Sequence, residues 1–156
     1  MGPGSTRDLL VGDIFRAGAV AVPDRVAAAL GDRTLTYREL DRAANAHAAA
    51  LARLGVGFGD RVVMWSATSL DAVPLFAALA KLGAVFAPAN ALLGVDEAIA
   101  MAELARPVLL VVDPPREAAG REVADRLGCP LAVLGRIASA ADVDADDPRA
   151  PQLRET

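Results

Sequence analysis

The chain has 156 residues, of which 54% are hydrophobic and 23% charged, enough for one folded unit with a real apolar core and too apolar for a disordered chain. Its net charge of −4 excludes the basic face with which a nucleic-acid binder displaces phosphate counterions. Cys129 is the only cysteine, which excludes an internal disulfide and a cysteine-based metal cluster and fits a reducing cytoplasm.

Met1 to Ser5 (MGPGS) reads as a tag or cleavage scar and is set aside. The first predicted helix covers Asp8 to Ala21, an outer helix with sparse apolar positions at Leu10, Ile14 and Val20, stopped by Pro23. Asp13 and Arg16 interrupt this segment, so it is no signal peptide. No apolar run reaches the roughly 18 to 20 residues of a membrane span. Val26 to Leu30 and Arg33 to Thr36 flank Gly31-Asp32, a two-residue turn that predicts a β-hairpin. Thr36 and Glu39 have the spacing of a capping box and open a long helix, with Leu40, Ala44, His47 and Leu51 on one stripe and Gly55 as its left-handed stop.

Arg61 to Ser66 is the next strand, entered through the turn Gly57 to Asp60. Thr68 and Asp71 repeat the capping spacing before a helix that runs to Leu82, apolar nearly all round. Pro74 inside it predicts a kink or a tightened first turn. Then come a strand at Ala84 to Ala87 ending at Pro88, a helix at Val95 to Ala105 and a strand at Pro107 to Val112. A helix at Pro114 to Leu127 and a strand at Pro130 to Leu134 complete the order. Strands alternating with helices predict a mostly parallel sheet covered on both faces. Residues 6–134 form this α/β unit, and residues 135–156 read as an acidic loop.

No catalytic, cofactor-binding or metal-binding residue emerges from these elements. His47, the only histidine, lies on an apolar stripe and reads as a satisfied core residue. Cys129 reads as a packed thiol. Asp142, Asp144, Asp146 and Asp147 alternate without the glycine bend and terminal Glu of a calcium loop, and read as a solvated linker. The glycines from Gly55 to Gly59 precede a strand, where a phosphate loop would follow one. Lys81, the only lysine, sits at a helix end and reads as a cation complementing the helix dipole.

Four segments in order resemble the acyl-CoA synthetases of the adenylate-forming superfamily, which also includes peptide-synthetase adenylation domains and luciferases. Leu35-Thr36-Tyr37-Arg38-Glu39-Leu40 resembles the first core motif, with Asn45 matching a recurrent asparagine. Gly55 to Val62 resembles the turn "GVKKGDRV". Lys81 to Asn90 (KLGAVFAPAN) is similar to the second core motif, "KLGAVYVPLN". Pro107 to Asp113 resembles the strand that follows. Ala67-Thr68-Ser69 replaces the usual Pro-Asn-Ser, and Pro74 has no counterpart.

The resemblance implies a parent enzyme that uses ATP, Mg²⁺ and CoA to convert a carboxylic acid, expected to be a fatty one, into acyl-CoA, AMP and pyrophosphate through an acyl-adenylate. The family's Pro-Lys-Gly ATP loop, adenine-site motif, ribose aspartate and C-terminal lysine are expected after Thr156. The chain is therefore expected to be an N-terminal, inactive piece with no cofactor of its own, self-associating or packed on another chain. Its uncovered parts, on this reading, are the Val62–Trp65 and Val108–Val112 strands and the helix at Ser69 to Leu82. Arg121 corresponds to an arginine that reaches the CoA phosphates in some relatives, but reads here as a solvent-facing helix residue. Asn90, where peptide-synthetase adenylation domains carry Asp, favours a CoA ligase over such a domain. The sequence is also compatible with an acyl-AMP ligase and with a non-catalytic flavodoxin-like binding module.

Overall fold

Short apolar runs and helix-length segments alternate along the chain, and in the computed structural model, which describes residues 10–138, each becomes one element. In order these are α1 (Val11–Ala21), β1 (Val26–Leu30), β2 (Arg33–Thr36), α2 (Tyr37–Arg53), β3 (Arg61–Trp65) and α3 (Ala72–Leu82). They continue with β4 (Val85–Ala89), α4 (Val95–Ala105), β5 (Leu109–Val112), a 3-10 turn at Pro114–Arg116, α5 (Glu117–Leu127) and β6 (Leu131–Val133). β1 and β2 form a separate antiparallel hairpin, and the main sheet is parallel in the order β4-β3-β5-β6.

Side chains of β3 and β5 alternate between two buried layers, as the period of a strand requires. Val62, Met64, Leu109 and Val111 pack with Leu51 of α2 and Leu75 and Leu79 of α3. Val63, Trp65, Leu110 and Val112 pack with Ala98, Ile99 and Ala102 of α4 and with Val123 and Ala124 of α5. Each of the fully buried leucines and valines stabilises the fold by about 1.5–3 kcal/mol relative to exposure. The hairpin and α1 add an outer layer, in which Phe15 and Ala27 pack against Leu40, Ala44 and Ala77.

The capping box of α2 is present: Thr36 Oγ1 accepts from the Glu39 N–H (3.2 Å), and Glu39 Oε2 accepts from the Thr36 N–H (2.8 Å). Its other end closes as a Schellman motif, with the Val56 N–H on the Leu51 carbonyl (3.0 Å) and Gly55 at φ +85°.

Several sequence expectations need correction. Thr68 is exposed and caps nothing; Ser69 Oγ accepts from the Asp71 N–H (3.2 Å) instead, and α3 begins at Ala72. Pro74 is then the third residue of α3, where an N–H has no intrahelical partner, so it causes no break. The turn before it is tight, with Ala72 and Val73 N–H bonded three residues back to Ser69 and Leu70. The described part of α1 is anchored by buried Gly12 and by Phe15, whereas Leu10, Ile14 and Val20 are exposed; Asp8 and Leu9 lie outside the described residues. Pro107 and Val108 precede β5, Pro130 precedes β6, and α5 starts only after the 3-10 turn.

Two differences concern the sheet edges. β3 and β5, expected to be uncovered, are the two central strands, and the helix expected with them, α3, has Leu75, Ala77, Ala78 and Leu79 fully buried. Among the described residues the edges are β4 and β6. β4 also continues through Pro88, which an edge strand tolerates because its outward-facing positions bond no neighbour.

Candidate functional site

In an open parallel sheet, ligands gather at the carboxyl ends of the strands, at the point where neighbouring strands send their helices to opposite faces. Here that holds on both sides of β3, because α3 covers one face while α4 and α5, which follow its neighbours β4 and β5, cover the other; the gap between β3 and β5 is the one closed by side chains. The residues following β3 and β5 are Ser66 and Asp113, both buried.

Asp113 closes the gap between the strands. Its Oδ2 accepts from the Ala67 N–H (2.8 Å) and from Arg116 (2.6 Å), while Oδ1 is buried without a hydrogen-bond partner among the described residues. Burial alone would raise this carboxyl; the bonds from Ala67 and Arg116, with the guanidinium charge, outweigh it and hold the group below the usual carboxylate range. Arg116 reaches further, donating to the Ala91 carbonyl (2.7 Å), with its guanidinium carbon 5.9 Å from the Trp65 ring centroid. One ion pair thus ties together the loops that leave β3, β4 and β5. The loop after β4 is held a second time, by Asn90 Oδ1 accepting from the Leu92 N–H (2.9 Å). Directly after this doubly held peptide, Leu92 is 90% exposed.

The residues singled out in sequence are scattered. Lys81 is buried and its ammonium bonds Asp41 (2.6 Å) and Asn45 of α2, so the helix-dipole reading is replaced by an interhelical ion pair. His47 is buried on the stripe of α2 with Leu40, Ala44 and Leu51. Its Nδ1 is 2.6 Å from the Ala43 carbonyl, which fixes the proton on Nδ1. Its buried Nε2 has no partner among the described residues. Burial pushes the His47 pKa down, against smaller opposing effects of the Ala43 carbonyl and Asp71.

Cys129 is half-buried, and burial pushes its thiol up, away from the thiolate that nucleophilic chemistry needs. Arg121 bonds Glu117 (3.3 Å) on the outside of α5. The Gly55–Gly59 turn cannot cradle a phosphate: the Gly57 N–H is taken by Asp60 Oδ2 (2.8 Å) and the Gly59 N–H by the Gly83 carbonyl (2.9 Å). Asp142, Asp144, Asp146 and Asp147 lie outside the described residues. Among the described residues no three His, Cys, Asp or Glu side chains could hold a metal ion, and no helix is long and apolar enough to cross a membrane. A 310 Å³ recess lined by Glu103, Arg106, Pro107, Arg126 and Leu127 opens at the opposite end of the sheet.

The Asp113–Arg116 staple had a legible signal, an acid and a base three residues apart directly after a strand. The sequence reading passed over it.

The AMP-binding enzyme family matches this sequence over residues 15–154. A protein of Rhodopseudomonas palustris assigned as a long-chain-fatty-acid CoA ligase shares the fold with a TM-score of 0.78 at 29% identity, over 84% of this chain and 34% of that one. The apo structure of MbtA from Mycobacterium smegmatis has a TM-score of 0.78 at 27% identity, over 96% of this chain and 29% of its own. ATP-bound MatB from Rhodopseudomonas palustris has a TM-score of 0.71 at 25% identity, over 83% of this chain and 28% of its own. The chain thus spans about a third of the length of the structures it matches. A search of curated proteins gave no significant match.

Proposed function

Because the chain belongs to the AMP-binding enzyme family, we propose that it is the N-terminal α/β part of an ATP-dependent acyl-CoA synthetase. In the proposed reaction a carboxylate oxygen attacks the α-phosphorus of ATP, and the bond to pyrophosphate breaks. The CoA thiol, losing its proton, then attacks the acyl carbonyl, and the bond to AMP breaks. Mg²⁺ would offset the phosphate charge during the first step.

Among the described residues the glycine-rich turn has its Gly57 and Gly59 amides occupied, and no three His, Cys, Asp or Glu side chains could hold a metal ion. No step of the reaction is therefore assigned to them. Their proposed role is architectural, a covered sheet whose carboxyl-end loops form one side of the parent's active site. The observation that carries the CoA branch of the family is Asn90. It ends the Lys81–Asn90 motif, and its side chain turns the following loop by accepting from the Leu92 N–H.

Pyrophosphate exchange into ATP, measured on the full-length parent with a panel of aliphatic and aromatic acids, tests the first step. Mass detection of the acyl-CoA tests the second. Exchange that yields no thioester with CoA would assign the acyl group to another acceptor. No exchange with any acid would refute the reading. Residues 1–156 alone are expected to give no exchange above a no-enzyme control.

A further inference from the structure

We infer that Asp113 and Arg116 are positioning residues for the acid-binding pocket of the parent enzyme, acting through the loop that presents Leu92. The inference rests on the proposed function and deepens it. Among the described residues Leu92, 90% exposed at the tip of its loop, has nothing to bury against. Loops of that kind are ordinarily soft, since few contacts hold them. This one is fixed at the peptide that leads into the tip: Arg116 holds the Ala91 carbonyl and Asn90 Oδ1 holds the Leu92 N–H of that same peptide, while the Leu93 N–H closes the turn on the Asn90 carbonyl (3.2 Å).

Arg116 is itself fixed. It is committed to Asp113, which is bonded in turn to the Ala67 N–H across the gap between β3 and β5. A buried ion pair adds little net stability compared with apolar residues of the same volume, but it does specify a geometry. What this pair specifies is the mutual position of three loops at the ligand-facing end of the sheet. An apolar side chain held rigidly at that rim suits the hydrocarbon part of a carboxylic acid and offers nothing to the phosphates of ATP. Lysine could not replace Arg116, because a single ammonium lacks the planar fork that meets Asp113 and the Ala91 carbonyl together.

The test uses the full-length parent with Leu92→Ala, Arg116→Lys and Arg116→Met. The readouts are KM for the acid, KM for ATP and kcat in pyrophosphate exchange, together with a thermal melt. Leu92→Ala should raise the acid KM about tenfold, the scale of one lost apolar contact. ATP KM and the melting temperature should stay at their wild-type values, because on this inference the Leu92 side chain meets the acid and not ATP or the core. Arg116→Lys and Arg116→Met should raise the acid KM in the same direction. An unchanged acid KM in Leu92→Ala overturns the inference even if the Arg116 variants fail to fold. A parallel rise in ATP KM, or a change confined to the melting temperature, overturns it as well. A wild-type parent that exchanges with no acid removes the proposed function itself, a result separate from any variant.

Discussion

Replacing Lys81 by Met isolates the value of the one buried ammonium in the described fold. Its side chain is 7% exposed and that of Asp41 21% exposed, with 2.6 Å between Nζ and Oδ1. Methionine refills most of the volume, so the loss is mainly electrostatic: a largely buried carboxylate and the Asn45 carbonyl lose their donor. Breaking a buried pair from one side costs about 3–5 kcal/mol, and the partial access of Asp41 to water places this case near ~3 kcal/mol. A domain of this size loses roughly 2–4 °C of melting temperature per kcal/mol, so the expected drop is about 6–12 °C. A helix-dipole contribution alone would be about 0.3–1 kcal/mol, which separates the two readings of Lys81. Urea titrations of the wild type, Lys81→Met, Asp41→Asn and the double variant complete a cycle. The double variant should recover most of the loss. A single variant within about 0.5 kcal/mol of wild type, or a double variant no better than Lys81→Met, would refute the reasoning.

Gly120→Ala should destabilise by about 1 kcal/mol in the same titration. Its Cβ would come within 2.8 Å of Val112 Cγ1, and overpacking of about 1–3 kcal/mol outweighs the helix-propensity gain of about 1; a stabilised variant would contradict the packing of α5 on β5. His47 has a folded pKa below its ordinary 6.5, so the unfolded state binds more protons below that value. Stability should therefore be complete above about 6.5 and fall as the pH drops below it. His47→Gln should flatten that slope between about pH 7.5 and 5, and an unaltered slope would acquit His47. The isolated chain is expected to associate through the side formed by α1 and α3, where Val11, Ile14 and Phe76 are exposed. Sedimentation showing a monomer at every concentration would contradict this.

Local signals were legible where one segment contains both partners. The Thr36–Glu39 box, the Gly55 stop and the Gly31-Asp32 turn each depend on neighbours in sequence, and each forms. The second capping spacing misled because Ser69, next to Thr68, takes the backbone donor first. Lys81 was misread for another reason: its partners lie 36 and 40 residues away on α2, one helical turn apart from each other. Sheet position was invisible too. Continuous apolar runs marked Val62–Trp65 and Leu109–Val112 as buried strands, and both are fully paired at the centre of the sheet. The error was to place the open edge on them. Of the candidate site, the strand ends were readable, but the convergence of three loops on Arg116 depends on strand order, which no local pattern contains.

Pro88 has a consequence for where this sheet stops. The Val85 N–H points inward to the Asp60 carbonyl, and alternation along β4 turns Phe86 and Pro88 outward. A further strand laid along that edge would meet the carbonyls of both residues but only the Phe86 amide hydrogen. It would have to give two hydrogen bonds and receive one. An imide nitrogen in mid-strand leaves the edge a poor template for copying, so growth of the ladder by identical chains is discouraged by covalent chemistry and needs no covering segment.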